Sequence, residues 1–200
     1  MMGITAQQCA ELAAAGVLGP TYTVRTGKQK SARRFYSEDR IAELAAAPHL
    51  DKATVQRIAG AHGYERVVVL RQSSAVPLGM EAHDQRDWYG VDYSAIHSGD
   101  PALVAMQEEA TRRWWEISNA NVVAFTRMQQ TGGRAMLISS LSGLVVLCRD
   151  ITGLDLTLNI RSNKYAYAIS PAGDWENQIL GHWVDSGRGR AMLTWDALGS

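Results

Sequence analysis

Apolar and polar positions change period repeatedly along this chain. From Ala6 to about Ala15, Cys9, Leu12, Ala13 and Gly16 share one face while Gln7, Gln8 and Glu11 lie largely off it, which predicts a helix. Thr5 can cap it, Gln8 can reciprocate three residues on, and Ile4 can staple to Cys9. Gly16 and Gly19-Pro20 end it. Tyr22-Thr23-Val24-Arg25 and Ala32-Arg33-Arg34-Phe35-Tyr36 then alternate as two strands around Thr26 to Lys30, a turn without large apolar side chains. Ser37 caps a second helix with Ile41, Leu44 and Ala45 inward, Tyr36 staples to Ile41, and Pro48 closes it. Asp51 caps a third helix, Lys52 to Ala59, stopped by Gly60.

After Gly63 the pattern turns to strand. Arg66 to Arg71 is a short apolar run, Ser73 to Gly79 reads as loop, and Glu81 to His97 mixes polar and aromatic residues. Asp100-Pro101 opens a helix with Leu103, Met106, Ala110, Trp114 and Ile117 on its core face and Gln107, Glu108, Arg112 and Arg113 mainly elsewhere. Glu108 and Glu109 precede Arg112 and Arg113 by four residues, the favourable order for helix ion pairs. Strands are expected at Val122 to Thr126, Arg134 to Ser139, Leu144 to Arg149, Asp155 to Ile160, Lys164 to Ile169 and Ala191 to Trp195, with Arg161-Ser162-Asn163 as a turn. The expected fold class is α+β: a winged-helix-like segment over residues 1–62, then a helix-covered, mostly antiparallel sheet or small barrel over 63–200.

Composition narrows the class. With 46% hydrophobic and 20% charged residues the chain reads as globular rather than disordered. The longest apolar candidate, Ala135 to Cys148, is broken by Ser139, Ser140, Ser142 and Gly143, and the start lacks a signal-peptide pattern, so a cytoplasmic protein is expected. Cys9 and Cys148 have no metal-ligand spacing. Net charge is zero, yet residues 1–62 hold eight Lys or Arg against five Asp or Glu, net +3. Most of that excess is one run: Arg25, Lys28, Lys30, Arg33 and Arg34. A basic hairpin suits a phosphate backbone, where cations bind by releasing counterions; the plain alternative is a solvated loop.

Gly16 to Pro20 and Arg34 to Leu44 resemble the winged-helix domains of the MerR and excisionase type, in which a helix is followed by a "G-L-L-x-P" exit, a wing and a "Y-S-x-x-D" helix start. That pattern has another helix ahead of the recognition helix, where this sequence has Met1-Met2-Gly3-Ile4 before Thr5. The resemblance implies binding to double-stranded DNA, with the first helix in the major groove and the wing on the backbone or minor groove. Gln7 and Gln8 would face the groove, and Arg25, Lys28, Lys30, Arg33 and Arg34 would hold phosphates. One helix and a wing bury little surface, so useful affinity calls for a dimer or a second DNA-contacting domain, and a homodimer is among the expected partners. The expected role is transcriptional regulation or service to a mobile element, with residues 63–200 sensing a ligand or mediating assembly; the alternative is a protein-interaction or assembly module without nucleic acid.

The glycines and strand order from Ser142 to Trp195 resemble PUA-like small barrels, which implies a pocket for a base or small ligand. Gly187, Arg188, Gly189 and Arg190 would then be an anion-binding loop, or else an ordinary hairpin turn. His83-Asp84 is the one metal-like pair, without evident further ligands, and Trp88 and Tyr89 read as packing residues. No nucleophile elbow, Walker loop, dinucleotide fingerprint or H-E-x-x-H occurs, so no enzyme, metal or cofactor is expected.

Overall fold

A computed structural model describes residues 4–24, 33–78, 86–157, 164–185 and 190–198, with backbone alone at Val24 and Arg33. The N-terminal elements are α1 (Ala6–Ala14), β1 (Tyr22–Val24), β2 (Arg33–Phe35) and α2 (Glu38–Ala46). Their ends follow local chemistry. Thr5 and Gln8 form a reciprocal capping box on α1, and Ser37 accepts from the Arg40 amide at the start of α2. Next come β3 (His49–Leu50), α3 (Lys52–Ala61) with Asp51 as its cap, and β4 (Arg66–Gln72).

The long excursion after β4 contains β5 (Val76–Pro77), β6 (Trp88–Tyr89), α4 (Tyr93–Ile96), α5 (Pro101–Arg112), β7 (Trp115–Glu116) and α6 (Asn119–Thr131). It returns to β8 (Ala135–Leu141), which lies parallel to β4 in the register Arg66↔Ala135 to Gln72↔Leu141. β9 (Leu144–Leu154) follows in a hairpin, then β10 (Lys164–Tyr165), β11 (Tyr167–Pro171), a 3-10 turn at Asp174–Gln178, β12 (Trp183–Val184) and β13 (Met192–Asp196).

Seven strands make one open mixed sheet in the order β13-β4-β8-β9-β12-β3, with β11 also on β9. Its pairings are antiparallel except β4 with β8 and β12 with β3. Among the described residues no closed barrel forms: β13 ends one side of the sheet and β3 the other. The expected strand at Val122 to Thr126 is instead the middle of α6, because Ser118 caps that segment and Gly132, at φ 72, ends it. Val122 and Phe125, spaced three apart, then face the sheet together. Asp155 to Thr157 is turn rather than strand, since the Asp155 carboxylate accepts from the Thr157 amide and hydroxyl; residues 158–160 and the expected turn at 161–163 lie outside the described residues.

Alternation along the strands fills both faces. Val67, Val69, Met136 and Ile138 meet α3 and the 3-10 turn through Val55, Ala59, Trp175 and Ile179. Val68, Leu70, Ala135 and Leu137 meet α6 through Phe125 and Met128. The third cluster joins Leu12, Leu18 and Leu44 of the N-terminal unit to Leu141, Leu144 and Val146 around the β8–β9 turn and to Trp183 of β12. Residues on both sides of the boundary expected at 62 thus share cores, and β3 is an edge strand of the main sheet. Among the described residues no helix is long and apolar enough to cross a membrane.

The face of α5 differs from expectation. Leu103 is 36% exposed, whereas Gln107 is 1% exposed. The Gln107 amide is fully used: its oxygen accepts from Asp92 N at 2.7 Å and Trp88 Nε1 at 3.2 Å, and its nitrogen donates to Gly90 O and Thr111 Oγ1. Burial of an amide costs little when every group finds a partner. This residue pins the 88–92 segment onto α5. Glu108 pairs with Arg149 of β9, while Glu109 holds both Arg112 and Arg113.

Candidate functional site

The N-terminal ribbon carries the strongest candidate. β1 and β2 are antiparallel, with Tyr22 opposite Phe35, Thr23 opposite Arg34 and Val24 opposite Arg33. Tyr22 is 71% and Phe35 50% exposed, so the ribbon does not bury its aromatic pair. Arg34 is exposed. Arg25, Lys28 and Lys30 lie outside the described residues, as does the Arg33 side chain.

The ribbon is mounted on a braced pair of helices. Arg40 at the start of α2 donates through Nε to the carbonyl of Val17 at 3.2 Å and pairs with Glu43 at 2.6 Å. Its hydrogen bond with Glu43 is the largest influence holding the Arg40 guanidinium above its ordinary pKa. α1 itself carries no basic residue. Gln7 is exposed, its amide donating to Glu11 Oε1 at 3.1 Å. Gln8 is half-buried: it completes the α1 cap and donates to the carbonyl of Ser142 at 3.2 Å. Glu11 also meets the Ser142 hydroxyl, so one side of α1 is fastened to the β8–β9 turn.

Of the glycine-arginine loop, Gly187, Arg188 and Gly189 lie outside the described residues. Arg190 is exposed, and its carbonyl accepts from Arg71 at 3.2 Å. His83 and Asp84 also lie outside them. In the neighbouring described stretch, Asp92 caps α4, Trp88 donates to Gln107, and Tyr93 packs on His97 with ring centres 4.3 Å apart. Among the described residues no group of three or more His, Cys, Asp and Glu is placed to hold a metal ion.

A second polar centre was not legible from the chain. Asp150, 2% exposed, accepts from the Tyr64 hydroxyl at 2.8 Å, from Trp175 Nε1 at 2.9 Å and from Arg134 at 3.1 Å. Arg134 also lies 5.1 Å from the Tyr64 ring centre. Burial first, and the Asp150 carboxylate second, push the Tyr64 hydroxyl up to about 12. Every oxygen of this carboxylate is satisfied, and Arg134 is half-exposed, so the centre is built to join β9, the 3-10 turn and the α3–β4 connection.

Comparison with protein-family models, with curated proteins and with solved structures gave no match.

Proposed function

We propose that the chain binds double-stranded DNA through its N-terminal helix, ribbon and second helix, with the α+β body as their platform, as a transcriptional regulator or an accessory factor of a mobile element. The observation that supports this most is the antiparallel register of β1 and β2, which pairs the strand just before the basic run with the strand that carries Arg33 and Arg34 and leaves Tyr22 and Phe35 exposed. Phosphate contact rests on the ribbon, since α1 has no cation of its own. Base contact from α1 falls to Gln7, because the Gln8 amide is already engaged by Thr5 and Ser142. A homodimer would double a small footprint.

The test is a mobility shift on mixed-sequence duplex DNA over a salt series, with wild type and the double variant Arg33→Ala, Arg34→Ala. Wild type should retard the duplex at low salt, and the variant should bind more weakly, its log–log salt slope smaller by about 2 for two lost phosphate contacts. No retardation at low salt, or equal binding by the variant, overturns the reading. A protein-contact or assembly role is the second reading, favoured by the exposed Tyr22 and Phe35 pair. Self-association that survives salt and is lost in Tyr22→Ser with Phe35→Ser would select it.

A further inference from the structure

Two adjoining clefts open where the end of β4 meets the start of β13. The larger, of ≈ 670 Å³, is lined by Trp114, Trp115, Asn121, Lys164 and Arg190 among others. The smaller, of ≈ 260 Å³, shares both tryptophans and adds Arg71, Arg86, Tyr89 and Arg113. Among the described residues Arg71, Lys164 and Arg190 line the pair of clefts with the single carboxylate of Glu116, beside Arg86 and Arg113, which are engaged elsewhere. In a chain of zero net charge this is a local excess that an anion would balance.

The cations differ in what already holds them. Arg113 is 8% exposed and paired with Glu109, and its guanidinium lies 5.8 Å from the centre of a Trp114 ring. Arg86 donates to the Arg113 carbonyl at 3.1 Å. Arg71 donates to the Arg190 carbonyl, a contact that leaves its charge uncompensated; among the described residues neither Arg71 nor Arg190 has a carboxylate partner. The Arg71 amide bonds to Ala191 O at 2.7 Å, so these two arginines are held side by side by backbone pairing rather than by loop chance. Trp115 is fixed by its Nε1 donating to Thr111 O at 2.8 Å. Both indoles are half-buried.

We propose that this double cleft binds a nucleotide, with the Trp114 and Trp115 rings offering the face for the base and Arg71 and Arg190 taking the phosphate. A flat ring beside uncompensated guanidinium groups matches both halves of such a ligand, and a base of any identity has a face to stack. The larger cleft, of ≈ 670 Å³, falls within the about 300–1,000 Å³ of small-ligand sites, and the smaller extends it. The site stands apart from the ribbon and does not depend on it.

Isothermal titration of the full chain with AMP, GMP and UMP, and with adenosine, inorganic phosphate and a 5′-phosphorylated hexanucleotide, tests it. Saturable binding of a nucleotide is expected, with adenosine and phosphate each at least about tenfold weaker. Arg71→Gln and Trp114→Leu should each weaken nucleotide binding about tenfold or more, with circular dichroism confirming the fold. Arg190→Gln, at an exposed position, gives the same reading should either of those fail to fold. The ribbon variant Arg33→Ala, Arg34→Ala should bind the nucleotide as wild type does. Tighter binding of the hexanucleotide than of any mononucleotide assigns the same chemistry to the end of a strand, and the reverse assigns it to a free nucleotide. Absence of saturable heat with all these nucleotides, or binding unchanged in the folded Arg71, Trp114 and Arg190 variants, overturns the proposal.

Discussion

Asp150 gathers Tyr64, Trp175 and Arg134 around one buried carboxylate, and Tyr64 is the partner whose contribution can be read by pH. Its hydroxyl keeps its proton up to about 12 in the folded chain, against an ordinary value near 10. A folded-state pKa above the unfolded one means stability that is complete below pH 10 and lost as pH rises from 10 through 12. Tyr64→Phe should therefore lower the urea midpoint at pH 8, by an amount reflecting about 1–3 kcal/mol for a buried acceptor left short of a donor. The variant should also lose less stability than wild type between pH 9.5 and pH 11.5. Equal alkaline loss in both proteins would show that Tyr64 does not carry the effect. Tyr167, fully buried, is also raised, by desolvation alone, and supplies a background common to both.

Element boundaries depend on single residues. α6 ends at Gly132, whose φ of 72 favours glycine, and a Cβ built there meets nothing within 4 Å. Gly132→Ala thus isolates backbone strain from packing, and it should cost about 1–2 kcal/mol, or roughly 2–8 °C in Tm for a chain of this size, read by thermal melting. Gly132→Asn should cost less, because asparagine tolerates the left-handed region better. The α6 segment also shows why Val122 to Thr126 reads as a strand in isolation. Val122, Val123 and Phe125 have high strand propensity, while the cap at Ser118 and the sheet under Phe125 and Met128 favour a helix. Propensity is weak beside a buried face. α5 reverses the usual pattern in another way: its best-placed apolar residue, Leu103, stays half-exposed while Gln107 is buried, because the partners that satisfy the amide come from residues 88–92, far earlier in the chain.

At the scale of the whole molecule, the N-terminal unit leans on the sheet. Leu12, Leu18 and Leu44 are at most 4% exposed, and they reach that burial against Leu141, Leu144, Val146 and Trp183. The Trp183 indole donates to Leu44 O at 2.7 Å, and β3 completes the sheet beside β12. Residues 1–62 expressed alone should therefore show no cooperative thermal transition by circular dichroism, since their apolar faces have no partner. A sigmoidal melt of that fragment would establish an autonomous domain. α1 and the cleft lie at the same end of the sheet, where β4 and β8 finish, because Gln72 pairs with Leu141 and α1 is fastened to Ser142 just beyond it. Tyr93 N donates to Ala15 O at 2.9 Å while Gly90 lines the smaller cleft, so the segment pinned by Gln107 runs between them.

The chain's own residues determined what is local. The caps at Thr5, Ser37, Asp51 and Asp100 and the glycine and proline stops follow from contacts within a few residues, and the strand at Arg66 to Arg71 and the hairpin flanks around the basic run are marked by their own short patterns of apolar positions. Tertiary structure decided the rest: the open mixed sheet instead of a barrel, the helix at α6, the seat of Gln8 on Ser142, and the meeting of Arg71 with Arg190 beside Trp114. The reason is sequence distance. A cap is worth the same wherever its helix goes, whereas side chains 119 residues apart, as Arg71 and Arg190 are, become neighbours only when the strands that carry them pair.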